Sequence, residues 1–495
     1  MNHLLYLVAC MLFAAGNPFL YAQPTYDIVL EGGRVMDPET GLDAIRNVGI
    51  RGDRIIEISS EKLSARQVVN VSGLVVAPGF IDLHVHGMTN KAHEYQVHDG
   101  VTTALELEGG IAFLREWLRT KSGRTLVNYG ATVPHGTLRT LAMKDYTQYL
   151  DKAKEIIARE GINSPAYFRV MAGLQRLAYE SLTEEDIGRM RELLEEELSA
   201  GALGIGVPVG YYPGATHGEI YRVYEFAAEK QVPIFSHTRG FGMPGIQEAI
   251  ANATASGAPL HIVHANSLSL GEIQVTLDMV ASAQDQGLDI STEVYPYTAA
   301  STSLESALFD DGWQEKLSIS YQDIQWESTG ERLTEETFTR YRKQGGVVII
   351  HMMKAEWIQK GIEDPRTLIA SDGMPYAPKA HPRTAGTFSR VLGRYVREQR
   401  LISLMDALRK MTLMPAQRLE KVAPAMRLKG RLQVGCDADI TMFDPETILD
   451  KADFTGLRFS EGIQHVLVNG VWVVKEGKTI ENVFPGRPVL GKFRK

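Results

Sequence analysis

The chain has 495 residues, 44% of them hydrophobic and 23% charged, and a formal net charge of -8. This composition describes a folded protein with room for one barrel-sized domain and a smaller one. The acidic balance, with no Lys/Arg block, argues against nucleic acid as a partner.

Residues 1–22 are uncharged and mostly apolar, and end Phe-Leu-Tyr-Ala before Gln23 and Pro24. They read as a secretory signal cleaved near Ala22, which implies export, to the periplasm. Leu7-Val-Ala-Cys10 resembles a lipoprotein cleavage box, but the apolar stretch runs on past Cys10, so that reading and an uncleaved anchor come second. No later segment is apolar enough to span a bilayer. Cleavage leaves Cys436 as the sole cysteine, so the mature chain forms no intrachain disulfide and any metal is held by nitrogen and oxygen.

From Tyr26 to residue 75, short alternating runs separated by Gly/Asp turns predict antiparallel strands. The same pattern returns at Ala438–Asp444 and Ile463–Val474. The two ends, 23–78 and 425–495, are therefore expected to build one small β-sandwich around an α/β middle, 79–424. In that middle, eight strand candidates alternate with helical segments: Phe80–His86, Thr102–Glu108, Leu126–Val133, Ala202–Val209, Pro233–His237, Leu260–His264, Ile290–Tyr295 and Leu368–Asp372. Eight βα units predict a closed (β/α)8 TIM-like barrel. Thr183–Leu198 reads as a helix with a capping box at Thr183 and Asp186 and a stripe of Ile187, Met190, Leu194 and Leu198. The gap at about 303–366 is too long for a connection and predicts an insertion over the barrel mouth.

The first barrel strand ends in His84-Val-His86. Side chains two apart on a strand share a side, so both imidazoles can face one metal ion. The other strand ends supply Glu106 and Glu108, His237, His264 and Asp372. Ionisable groups at that many buried strand ends call for a common partner, and imidazoles with carboxylates suit zinc, one ion or two, with a position open for water.

These motifs, with "APGFIDLHVH", "GVTT" at 100–103, "HGTLR" at 135–139, "SHTRG" at 236–240, "YPY" at 295–297, "SDG" at 371–373 and "HPRTAGTFSRVLG" at 381–393, resemble the amidohydrolase superfamily. The "YPY", "HGTLR" and "HPR" motifs are similar to its D-aminoacylase (N-acyl-D-amino-acid deacylase) branch. "LEGGRVMDPETG", "KGRLQVGCDADITMFDP" and "VLVNG" are similar to the family's split β domain. The resemblance implies His84, His86, His237 and His264 as metal ligands, and Asp372 as catalytic acid/base that also touches the metal. It implies Arg383 as the grip on a substrate α-carboxylate, with Tyr295 and Ser301 as helpers. His135, in "HGTLR", is expected on the substrate side or just behind the ligands.

Two departures stand out. Members of the branch carry a metal-binding cysteine after the second strand; here Leu105-Glu-Leu-Glu-Gly-Gly110 has none. A carboxylate can bridge two cations, and Glu108 is assigned that place over Glu106, which points to the same face but sits deeper, where the family resemblance implies a structural acid. After the sixth strand, Asn266 stands where the branch often has a lysine, which weakens the expectation of an acidic substrate. His93 and His98 are expected at the surface, His261 away from the metal side, His351 in the insertion and His217 near the pocket.

The expected activity is zinc-dependent hydrolysis of an N-acyl-D-amino acid. The alternatives are hydrolysis of a cyclic amide or dipeptide, as in hydantoinases, dihydroorotases or isoaspartyl dipeptidases, and a catalytically silent binding homologue.

Overall fold

The structure, a computed structural model, describes residues 26–495; the expected signal at 1–22 lies outside them. Eight short parallel strands form a closed barrel. Phe80–Asp82 pairs with Val101–Glu106, which pairs with Asn128–Ala131. The third strand continues through Val133–Pro134 onto Ile205–Pro208. Ile234–His237, Leu260–Ile262, Ile290–Val294 and Thr367–Ile369 follow in order. The ring closes where Val85 bridges Gly373 in parallel and His86 N–H donates to Gly373 O at 2.7 Å. Barrel strands are covered on both faces, so even their polar residues, among them Thr102, Thr103, Asn128, His261 and Thr292, are buried.

The helix expected from Thr183 onward spans Glu184–Ser199, with the Thr183–Asp186 capping box formed and Met190, Leu194 and Leu198 buried. Gly201 follows the helix end at φ +108°, a conformation that suits glycine. The long gap holds an antiparallel sheet of Ala300–Ser303, Val347–Ile350 and Ile324–Trp326, so the insertion begins a few residues earlier than its composition suggests. Phe309, Trp313, Tyr321 and Phe338 pack beside it, Trp313 stacked on Phe338 at 5.1 Å.

The two ends of the chain meet in one nine-stranded sheet. In it Tyr26–Asp37 pairs with Leu42–Arg51 and Val75–Pro78, and Val75–Pro78 pairs with Ile440–Phe443. The sheet closes over its own core of Ile28, Leu30, Val48, Ile50, Ile440 and Leu467, forming the small β-sandwich. A buried polar cluster joins it to the barrel: Asn128 of the third strand donates to Asp439 at 2.9 Å, and Lys429 reaches Asp439 at 2.6 Å and Asp437 at 2.8 Å. The last residues leave the sandwich, where the sequence placed them, and return to the barrel. Val489 N–H donates to Tyr129 O at 2.7 Å and Gly491 N–H to Gly201 O at 2.9 Å. Among the described residues no helix is long and apolar enough to cross a membrane.

Candidate metal centre and active site

The strand ends converge at one end of the barrel. His84 Nε2 and His86 Nε2 lie 3.0 and 3.2 Å from one oxygen of Glu108, and 3.5 and 3.4 Å from Asp372 Oδ1. The other Glu108 oxygen faces His237 Nδ1 at 2.8 Å and His264 Nε2 at 3.4 Å. Two donor groups therefore share Glu108: His84, His86, Glu108 and Asp372 in one, Glu108, His237 and His264 in the other, with the atoms of each within 4.8 Å of one another. The carbonyl of Glu108 packs against Gly206 of the fourth strand, across the barrel from the second. A Cβ there would stand 2.1 Å from Glu108 O.

Glu106 has a different task. It accepts from His86 Nδ1 at 2.8 Å and from Gly109 N–H at 3.0 Å, fixing the ring and the turn. His84 is fixed in the same way by Glu293, at 2.6 Å from Nδ1. Glu293 also meets His261 Nε2 at 3.0 Å, and His261 Nδ1 meets Ser291 at 2.7 Å. Such outer carboxylates set the tautomer and direction of a metal-binding imidazole. Asp82 completes the frame, accepting from His84 N–H and Ser371 N–H at 3.2 and 3.0 Å. Burial pushes its carboxyl up to about 7.

Charge shows what the site lacks. Burial opposes protonation of His84 and His86, yet the carboxylates around them hold both well above the ordinary imidazole range. Burial likewise opposes ionisation of Glu108 and Asp372. The imidazoles outweigh it for Glu108, and Arg383 with His84 for Asp372, so both carboxyls stay below their usual range. Two buried carboxylates amid four imidazoles require either protons on the rings or a cation between them. The donor set of nitrogen and carboxylate oxygen fits zinc. Two of its members sit in strained backbone, His264 at φ +31° and Asp372 at φ +52°. Strain of this kind gathers at functional sites.

Arg383 opens the helix Arg383–Arg390 and is 1% exposed. A cation at a helix N-terminus opposes the helix dipole, so the position costs stability unless something local compensates. Its Nη2 lies 2.9 Å from Asp372 and its guanidinium stands 4.7 Å from the Tyr295 ring centroid. Arg383 Nε and Nη1 and the Ser301 hydroxyl have no hydrogen-bond partner among the described residues. A cavity of about 340 Å³ opens above these groups, with His86, Glu108, His237, His264 and Asp372 in its floor and Ser301, Tyr211 and Phe241 in its walls.

The structure leaves other candidates outside the cavity lining. His135 is buried against Glu219 at 2.9 Å, and Arg139 holds the same carboxylate at 2.8 Å, so "HGTLR" forms an internal ion pair rather than a substrate contact. The Asn266 amide is turned to the backbone of Tyr295, donating to its carbonyl at 3.2 Å. His217 is exposed and pairs with Glu248 at 2.8 Å. His351 lies in the insertion against Gln325 at 3.1 Å. His93 and His98, expected at the surface, are buried: His98 stacks on Phe459 at 4.0 Å, and burial pushes His93 down to about 3. Their helix packs against the one that starts at Arg383, which covers the face assigned to solvent. Glu293, Asp82 and Tyr211 were missed. Glu293 had a readable signal, an acid inside an otherwise uncharged buried strand, Ile290–Val294.

The amidohydrolase family profile matches residues 67–474. The chain belongs to the amidohydrolase family. Within it, this amidohydrolase falls in the D-aminoacylase branch. It is 31% identical over 486 residues to the D-aminoacylase of Alcaligenes xylosoxydans xylosoxydans, covering 92% of this chain and 96% of that protein. The N-acyl-D-glutamate deacylase of the same organism is 29% identical over 488 residues, covering 94% and 96%. Among solved structures, the N-acyl-D-glutamate deacylase of Bordetella bronchiseptica superposes with a TM-score of 0.78 at 25% identity, covering 94% of this chain and 99% of that one. That protein was crystallised with zinc and a phosphonate inhibitor that mimics the tetrahedral intermediate of the reaction.

Proposed function

We infer that this amidohydrolase cleaves the amide bond of N-acyl-D-amino acids in a zinc-dependent reaction. The observation that carries the reading is the pairing of two sites a few ångströms apart. A six-residue imidazole–carboxylate centre shares Asp372 with a buried guanidinium that has two donors unmet. Nε–H and Nη1–H leave the guanidinium on different edges, so a substrate α-carboxylate meets one of them as a charge-assisted hydrogen bond, with the Ser301 hydroxyl beside it and Tyr295 backing the guanidinium. With the carboxylate held there, the acyl amide lies toward the metal centre. His84, His86, His237, His264, Glu108 and Asp372 would hold the metal. Bound zinc supplies Lewis acidity, polarising the acyl carbonyl and acidifying water. Asp372 accepts the proton from the attacking water and delivers it to the departing amine. Burial opposes its ionisation, but Arg383 and His84 outweigh this, so Asp372 is a carboxylate at neutral pH. The D configuration follows the named activities of the relatives, D-aminoacylase and N-acyl-D-glutamate deacylase.

The test is amine release by the zinc-loaded protein from paired N-acetyl-D- and N-acetyl-L-amino acids, with dihydrouracil and an L-dipeptide alongside. D-selective release is expected. Release from the cyclic amide or the L-dipeptide alone would leave the metal centre standing and remove the role given to Arg383.

Export rests on the apolar leader at 1–22, and Edman sequencing of periplasmic protein, expected to begin at Gln23, tests it.

A further inference from the structure

Among the described residues, the walls of the active-site cavity contain no lysine and no arginine. Among them too, apart from the metal-centre groups, the one charged side chain that lines it is Glu305, in the insertion. The remaining wall is apolar or hydroxylic, and includes Phe241, Leu308, Ile350, Met352 and Met374. Arg383 is left for the α-carboxylate: its Nη2 is already held by Asp372 at 2.9 Å, and it does not itself line the wall. Two arginines next to lining residues are already engaged. Arg239 is held by Glu248 at 2.9 Å, and Arg342 by Asp310 at 2.6 Å.

We propose that this site accepts acyl amino acids whose single negative charge is the α-carboxylate, with a neutral acyl group and a neutral, mainly apolar side chain. The inference rests on the deacylase reading and narrows its substrate. A second carboxylate on either end of the substrate enters a partly enclosed space with no cation to receive it, and shares that space with Glu305. Removing a carboxylate from water without a partner is costly, and a like charge nearby adds to the cost. In this respect the chain departs from its two relatives named for N-acyl-D-glutamate and N-acyl-D-aspartate.

The experiment compares kcat/KM of the zinc-loaded wild-type protein on N-acetyl-D-glutamine and N-acetyl-D-glutamate, which are nearly isosteric and differ by one charge. N-acetyl-D-leucine and N-acetyl-D-methionine are run beside them. Glutamine, leucine and methionine derivatives are expected to exceed the glutamate derivative by roughly a hundredfold or more, since an apolar pocket rejects even a near-isostere that adds a neutral polar group by about that factor. Glutamate turned over as fast as glutamine overturns this inference and leaves the deacylase reading intact. Cleavage of the glutamate derivative alone likewise overturns only this inference, whereas cleavage of none of the four D-substrates overturns the deacylase reading, and this inference with it.

Discussion

Glu293 tests whether the metal centre depends on its outer carboxylates. The substitution Glu293→Gln keeps size and shape but removes the charge that meets His84 Nδ1 at 2.6 Å and His261 Nε2 at 3.0 Å. One of those contacts is to a ligand imidazole, and a hydrogen bond to a charged group contributes about 1.5–3 kcal/mol. At about 1.4 kcal/mol per factor of ten, zinc affinity is expected to fall roughly 10- to 100-fold. Outer partners of metal-bound histidines show losses of that size. The assay is chelator competition with metal analysis, run with kcat/KM on N-acetyl-D-leucine and melting curves of the metal-free and loaded forms. The expected pattern is weaker zinc binding with little change in the metal-free melting temperature. A folded Glu293→Gln protein with wild-type zinc affinity and turnover would refute the reasoning. An equal fall in both melting temperatures at constant affinity would make Glu293 a packing group.

Asp372→Asn should keep zinc and lose roughly 10²- to 10⁴-fold in kcat, the range for a general acid/base, and wild-type turnover would remove Asp372 from the mechanism. Arg383→Lys replaces a planar guanidinium by a point charge, so KM for N-acetyl-D-leucine is expected to rise about tenfold or more, read by initial rates; an unchanged KM would place the α-carboxylate elsewhere. In the metal-free protein His84 and His86 are held protonated above their ordinary values, and zinc must displace those protons. Chelator competition should therefore show affinity rising with pH. The same raised values stabilise the metal-free fold fully below an unfolded imidazole pKa of about 6.5, and that contribution is lost as pH climbs through the folded values. Lys429→Met leaves Asp439 buried beside the domain junction without its cation, and thermal unfolding should show a loss of about 3–5 kcal/mol.

Sequence alone was enough for the barrel and for the side of each strand that faces the metal. Both are written in local periodicity: a period of two sets which side chains share a face, and alternating βα runs set the topology. Parity put Glu106 and Glu108 on the same face, and their depth along the strand set them apart: the two donor groups share Glu108, while Glu106 turns to His86 Nδ1. Contacts between distant segments were not readable. Glu293 lies 209 residues from His84, and nothing local to either marks the hydrogen bond between them. His135 sits in a motif that suggested substrate contact, but Glu219, 84 residues on, claims its ring inside the fold. Likewise, the composition of the insertion does not say which of its residues face the cavity; packing over the mouth brings Glu305 and Leu308 there. Local pattern fixes the direction of a side chain relative to its own strand, whereas its partner depends on which distant segment fills the adjacent volume, and only the tertiary structure decides that.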